Sequence, residues 1–329
     1  MILAAERSWF ALCTPCRWVN QAVVGSVMRK LKLLVSLHTS QNDYQMAQSV
    51  SAEEAARKLG IDVEIVFAEN DAVRQSTQIL EAVQNRAEAR PDAIVIEPVS
   101  STALPQAAQA AISAGIGWAV MNRTPEYLPV LRKLATAPVF AISSDHAEIG
   151  RIQGRQFAAL LPKGGSMLYI EGPSYSTSAR ERTMGMLQTK PSNIQVTTLK
   201  AHWTEESAER AIRSWLQLAT SQSTAIDLVG AQDDCMAMGA RKAFQKITSE
   251  EERARWLRLP FTGCDGLPAT GQKWVREGCL AATIYVLPLA GRAIEILAKA
   301  LHEGTQPPER AVTESFSIPP LTMLASLQS

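Results

Sequence analysis

Short β-branched runs alternate with amphipathic stretches along nearly the whole chain, and no other feature limits the fold as sharply. Leu31–Leu37 reads as a strand, Tyr44–Leu59 as a helix and Ile61–Ala68 as the next strand. The helix that follows carries apolar or small residues at Val73, Ser76, Ile79, Leu80, Val83 and Ala87, a stripe of 3.6-residue period. Ala93–Ile96 and Gly117–Met121 are further strands, separated by an Ala-rich helix over Thr102–Ala114. Parallel strands need a crossover between them, and a helix is the usual one. Repeated βα units therefore build parallel sheets covered by helices on both faces.

The segment Thr124–Pro138, with prolines at 125, 129 and 138, interrupts this rhythm. A second series then begins with strand Val139–Ser143 and helix Ala147–Leu161. It continues through strand Ser166–Ile170, helix Ser178–Gln188, strand Ile194–Leu199 and helix Glu205–Thr220. Strand Ala225–Val229, helix Asp234–Ile247, strand Pro260–Cys264, a helix through Trp274, strand Leu280–Val286 and helix Leu289–Leu301 complete it, and the tail Ala311–Ala325 reads as extended. The chain has 329 residues, against a prior of about 150 per domain. Two similar series joined near Ser143–Asp145 predict an α/β fold of two Rossmann-like lobes with parallel sheets, preceded by an extension over residues 1–27.

Lys plus Arg total 33 against 32 for Asp plus Glu. A protein that grips phosphate backbones carries a basic surplus, so nucleic acid is not expected as a partner. The five cysteines form no disulfide framework, and the Cys13-x-x-Cys16 pair has neither a second CxxC nor a His pair to complete a metal site. No metal and no cofactor are predicted. No run approaches the roughly 18 apolar residues of a membrane span. Glu6, Arg7, Arg17, Asn20 and Gln21 break up any signal peptide over residues 1–27, and Met28 is an alternative start.

In open parallel sheets, ligands bind beyond the carboxyl ends of the strands, where helix N-termini offer free N–H groups. Those loops hold Asn42, Asp43, Tyr44 and Gln45, then Glu97, then Asn122 with Arg123. The second series adds Ser174, Ser176, Ser178, Arg180 and Arg182, then Trp203, then Gln232, Asp233 and Asp234, then Asp265 before Gly266. Amides, carboxylates and guanidinium groups give each sugar hydroxyl a donor and an acceptor, and Tyr44 and Trp203 offer flat apolar faces to a sugar ring. Each residue also has a plainer reading. Asn42 and Asp233 suit helix caps, and Asn42 with Gln45 fits a capping box. Asp265-Gly266 suits a turn, and of Arg180 and Arg182 at most one faces a cleft.

Five stretches in order resemble the ribose-type periplasmic sugar-binding proteins, a family related to the effector domain of LacI-type repressors. They are SSDHAEIG (143–150), SARERTMG (178–185), AQDDCMAMG (231–239), GCDG (263–266) and GCLAATI (278–284), and the likeness runs from Leu31 to Ile318. It implies ligand contacts at Asn42, Tyr44, Gln45, Glu97, Asn122, Arg123, Arg182, Trp203, Asp233, Asp265 and Val286. The resemblance also implies a three-crossing hinge near Ser143–Asp145, Val286–Pro288 and Thr313–Ser315. That divides the chain into an N-terminal lobe (28–144 with 287–314) and a C-terminal lobe (145–286 with 315–329). The family's ribose binders have Asn in place of Glu97 and Asp233, Asp in place of Asn122 and Gln in place of Val286. A hexose, a polyol or a ligand with a positive group is therefore a candidate beside ribose.

By that resemblance the protein is a solute-binding subunit of an ABC-type transporter in the periplasm, and catalyses nothing. A ligand-sensing subunit for a kinase or chemoreceptor is the alternative, with a cytoplasmic location if the chain is not exported. A LacI-type regulator core would need a DNA-reading helix-turn-helix, which the first 30 residues do not provide. His38, His146, His202 and His302 lie far apart in sequence, and Glu97 with Asp265 is the one carboxylate pair suited to acid–base work.

Overall fold

Because β1 (Lys32–Leu37) is almost wholly apolar, both of its faces must be covered, and the chain supplies helices for each. A computed structural model describes residues 29–99, 102, 104–218 and 225–326, so Cys13, Cys16 and Met28 lie outside the described residues. Leu33, Val35 and Leu37 face Ala52, Ala55 and Ala56 of α1 (Asp43–Leu59), whereas Leu34 faces the opposite side with Ile79 and Val83 of α2 (Ala72–Gln84). β2 (Asp62–Phe67), β3 (Ala93–Ile96), β4 (Gly117–Met121) and β5 (Val139–Ser144) pair with it in parallel, in the order β5–β4–β3–β1–β2. α3 (Pro105–Ser113) joins α2 on its face. Each fully buried Ile or Leu of such a core contributes about 1.5–3 kcal/mol.

The predicted interruption over Thr124–Pro138 is partly helical. Leu128–Leu134 forms α4, whose Leu128 and Leu131 are buried against the same face as α3. Its prolines conceal it in the sequence, but Pro129 stands in the first turn, where a missing N–H costs nothing.

The second series builds a sheet of order β7–β6–β8–β9 from β6 (Gly165–Glu171), β7 (Ile194–Lys200), β8 (Leu228–Ala231) and β9 (Phe261–Thr262), again all parallel. α5 (His146–Leu160) and α6 (Thr177–Thr189) cover one face through Phe157, Leu160 and Met186. α7 (Glu205–Leu216) and α8 (Asp234–Gln245) cover the other through Ile212, Trp215, Met236 and Phe244. The acidic run at 250–252 starts a helix the sequence reading missed, α9 (Glu250–Leu257), whose Trp256 stacks on Phe244 with centroids 4.7 Å apart. The predicted helix through Trp274 is α10 (Gly271–Arg276).

The chain passes between the sheets three times. β5 leads into α5. β10 (Thr283–Tyr285) leads into α11 (Ala290–Glu303), which packs on α1 and the first sheet. β11 (Arg310–Thr313) extends the first sheet beside β5, and β12 (Phe316–Ile318) then pairs antiparallel with β10. The tail is extended only to this point, because α12 (Leu321–Ser326) turns back and buries Leu324 against the second lobe. Among the described residues no helix is long and apolar enough to cross a membrane.

Candidate binding site

Short polar residues at the strand ends cap the helices that begin there. Asn42 Oδ1 accepts from the Gln45 N–H, Asp145 from Glu148, Ser176 from Ala179, Thr204 from Ser207 and Asp233 from Met236. These caps fix where each helix points, and the carboxyl ends of both sheets converge on one cavity. Only half of the expected capping box at Asn42 forms, since Gln45 Oε1 accepts from the His38 N–H and so ties the helix to the end of β1.

The first lobe contributes a braced carboxylate. Glu97 receives the Asn122 amide on Oε1 at 2.8 Å and the Gln48 amide on Oε2 at 3.2 Å. Asn122 adopts φ of 56°, the left-handed region that Asn tolerates better than most residues. Arg123 Nε donates to the Pro98 carbonyl at 3.2 Å, and its Nη1 reaches across to Thr177 Oγ1 at 3.1 Å. His38 Nε2 also donates to the Pro98 carbonyl, at 2.7 Å. Tyr44 sends its hydroxyl to the Leu287 carbonyl at 2.9 Å, so its ring is anchored at the second crossing.

The second lobe contributes a buried guanidinium and an indole. Arg182 is only 6% exposed; it donates to the Gln232 carbonyl and lies 5.6 Å from the centre of the Trp203 ring. Arg180, two residues earlier, is exposed. Trp203 takes φ of 60° and lies against Gly172, where a Cβ would come within 2.1 Å of the indole. Across the cleft, Asn42 Nδ2 donates to the Trp203 carbonyl at 2.7 Å, so the described structure is closed.

Of the expected contacts, Asn42, Tyr44, Gln45, Glu97, Asn122, Arg123, Arg182, Trp203 and Asp265 line this cavity. Asp233 and Val286 do not. Asp233 is buried and caps α8 through Oδ1, while Val286 packs beside Tyr44 and Ile284 and donates its N–H to the Asp265 carbonyl. Three of the histidines treated as scattered, His38, His146 and His202, line the cavity together. Each stands at or just past a strand end, and that position was the signal available in the sequence. Water centres can occupy about 90 Å³ of the cavity. A larger groove of about 410 Å³ opens at the amino ends of β1 and β2, away from the helix N-termini.

Several buried polar atoms around the cavity have no partner: Asn122 Oδ1, Arg182 Nε and both ring nitrogens of His146. Burial pushes the Asp265 carboxyl well above the usual range, with Asp233 adding to the rise and Arg182 opposing it. Among the described residues no group of His, Cys, Asp and Glu could hold a metal ion.

Behind the cavity, Asp234 accepts from Thr283 Oγ1 at 2.6 Å and from the Gly266 N–H at 2.7 Å. Burial nevertheless pushes its carboxyl up to about 8, from an ordinary 3.8. The folded protein therefore keeps a proton here that the unfolded chain releases. The stability this contributes is full below the ordinary pKa and is lost as pH rises through the folded one. In Asp234→Asn the amide oxygen keeps the Gly266 N–H bond and the neutral NH2 donates to Thr283 Oγ1, whose hydroxyl turns round. In urea titrations the wild type should lose stability relative to the variant between about pH 5 and pH 8; parallel curves would dissociate Asp234 from this effect.

Residues 33–305 match the family model described as periplasmic binding protein domain. The ribose import binding protein RbsB of Salmonella typhimurium is 25% identical over 285 residues, covering 86% of this chain and 89% of that protein. The D-apiose import binding protein of Paraburkholderia graminis is 25% identical over 314 residues, covering 94% of this chain and 93% of its own. Among solved structures, a periplasmic solute-binding protein of an ABC transporter from Actinobacillus succinogenes, with bound D-allose, superposes with a TM-score of 0.75. It is 22% identical and covers 90% of this chain and 100% of that one, which is a likeness of fold.

Proposed function

This chain belongs to the periplasmic binding protein family, and on that footing we propose that it binds a monosaccharide or polyol between its lobes and delivers it to an ABC-type importer. The observation that carries this reading is the set of unpartnered buried atoms, Asn122 Oδ1, Arg182 Nε and the two His146 nitrogens, around the cavity between the strand ends. Leaving such atoms unpaired costs about 1–3 kcal/mol each. A hydroxyl both donates and accepts, so a polyhydroxylated guest answers acceptor and donor alike. A simple anion has nothing to donate to Asn122 Oδ1, and a simple ammonium nothing to offer Arg182 Nε.

Binding acts on an equilibrium between open and closed lobes, 28–144 with 287–314 against 145–286 with 315–329. The ligand favours closure through contacts that only the closed form makes. Asn42, Glu97, Asn122 and Arg123 meet the guest from one side, and Arg182, Trp203 and Asp265 from the other. The protein releases its ligand unaltered to a membrane partner, outside the cytoplasm.

A thermal-shift screen over pentoses, hexoses, polyols and amino sugars tests this. At a hundred times its Kd a cognate ligand adds about 2.7 kcal/mol, a rise of several degrees in Tm. Melting temperatures unmoved by every class would remove the basis for the assignment, and conversion of a bound sugar would make the protein an enzyme instead.

A further inference from the structure

His146 opens α5 immediately after the first crossing, and it lines both the cavity and a crevice of about 340 Å³ on the hinge side. The residue is 5% exposed, yet neither ring nitrogen has a hydrogen-bond partner. Buried polar groups in native proteins are paired in the large majority of cases. A neutral imidazole offers one N–H donor and one acceptor nitrogen, the complement of a hydroxyl group.

Its surroundings oppose the charged ring. Arg182 approaches from α6 and Arg123 from the loop after β4, and both depress its protonation after burial itself. The ring also stands in the first turn of α5, at the positive end of the helix dipole. The adjacent carboxylate of Asp145 is engaged in capping that helix, and Glu181 of α6 and Arg310 of β11 line the far crevice.

Building on the sugar-binding assignment, we propose that His146 contacts the bound polyol as an uncharged imidazole and so couples ligand retention to protons. When the lobes part, Arg123 withdraws with the first lobe and water reaches the ring, which then takes up a proton more readily than in the closed form. Closure must expel that proton. The closed form binds fewer protons than the open one, so falling pH favours opening. Through His146 alone, affinity then falls by at most about tenfold for each unit the pH is lowered.

The test is calorimetric titration of the full chain with D-ribose, D-allose and D-apiose at about pH 7.5 and pH 5.5, for the wild type, His146→Asn and His146→Leu, each checked for folding by circular dichroism. Relative to His146→Asn, the wild type should lose affinity between the two pH values, by up to about tenfold, and release up to about one more proton on binding at the lower pH. His146→Asn keeps a polar side chain that cannot charge, and should lose this proton release while still binding. His146→Leu should bind more weakly at both pH values. Variants that match the wild type at both pH values overturn the proposal, as does a pH dependence that disappears in His38→Gln instead. A folded wild type that binds none of the three sugars counts against the sugar-binding assignment, and the role of His146 goes with it.

Discussion

Arg182→Ala should weaken sugar binding by roughly ten- to a hundredfold, the range expected when a hydrogen bond to a charged group worth about 1.5–3 kcal/mol is removed. The guanidinium is buried, its Nε is free for the ligand, and it lies over the Trp203 ring. It also opposes the rise in the Asp233 and Asp265 carboxyls, so its loss leaves two buried acids without their counter-charge. Asp265→Ala should act in the same direction from the same lobe. Arg182→Lys is not a rescue, because an ammonium cannot stack on the indole and direct a fixed fork of donors at once. Calorimetric titration with a sugar identified by thermal shift, alongside circular dichroism, reads both effects. Normal affinity in the folded Arg182 and Asp265 variants would show that the guest lies elsewhere.

Gly150→Ala should cost stability and affinity together. α5 and α6 approach so closely that a Cβ at Gly150 would fall 2.0 Å from the Arg182 carbonyl oxygen. From the facing helix, a Cβ at Gly185 would fall 2.0 Å from the Ala147 carbonyl. Both obstacles are backbone atoms, so no rotamer change relieves them and the helices must separate. Overpacking of this kind costs roughly 1–3 kcal/mol or more. The contact at Gly150 is with Arg182 itself, and separation therefore withdraws the guanidinium from the cavity. Leu187→Ala, an exposed change on α6, should do neither. Urea unfolding and ligand titration check the pair, and a Gly150→Ala protein as stable and as tight-binding as the wild type would mean that this contact does not position Arg182.

Two departures from the ribose binders make one structural unit. Those proteins carry Asn in place of Glu97 and Asp in place of Asn122, whereas here Glu97 and Asn122 are joined by a 2.8 Å hydrogen bond. An amide–carboxylate pair is thus present with its partners exchanged, so the donor and acceptor offered to the guest change sides. Comparing residues one position at a time conceals this, because the pairing exists only where the ends of β3 and β4 lie side by side.

Asp233 illustrates a second limit. Asp is equally at home as a helix cap and as a ligand contact, and nothing within the loop at 231–235 separates the two uses. The cap to Met236 engages Asp233 Oδ1, and in the closed structure it is Asp265 that lines the cavity. Val286 sits in the hinge core for a similar reason. Its backbone pairs with Asp265, and its side chain points to Tyr44 and Ile284.

The order of elements apart from α4, α9 and α12, the two parallel sheets and the polar character of the strand ends were legible in the chain itself. Apolar runs, a 3.6-residue stripe and capping residues act over a few neighbouring positions, and local sequence records them directly. The tertiary structure alone decided that His38, His146 and His202 share a cavity, that Glu97 pairs with Asn122, and that two glycines let α6 present Arg182. Those relations join residues from 25 to 164 positions apart. They depend on how closely the packed helices approach and on how the lobes close, and no local periodicity encodes either.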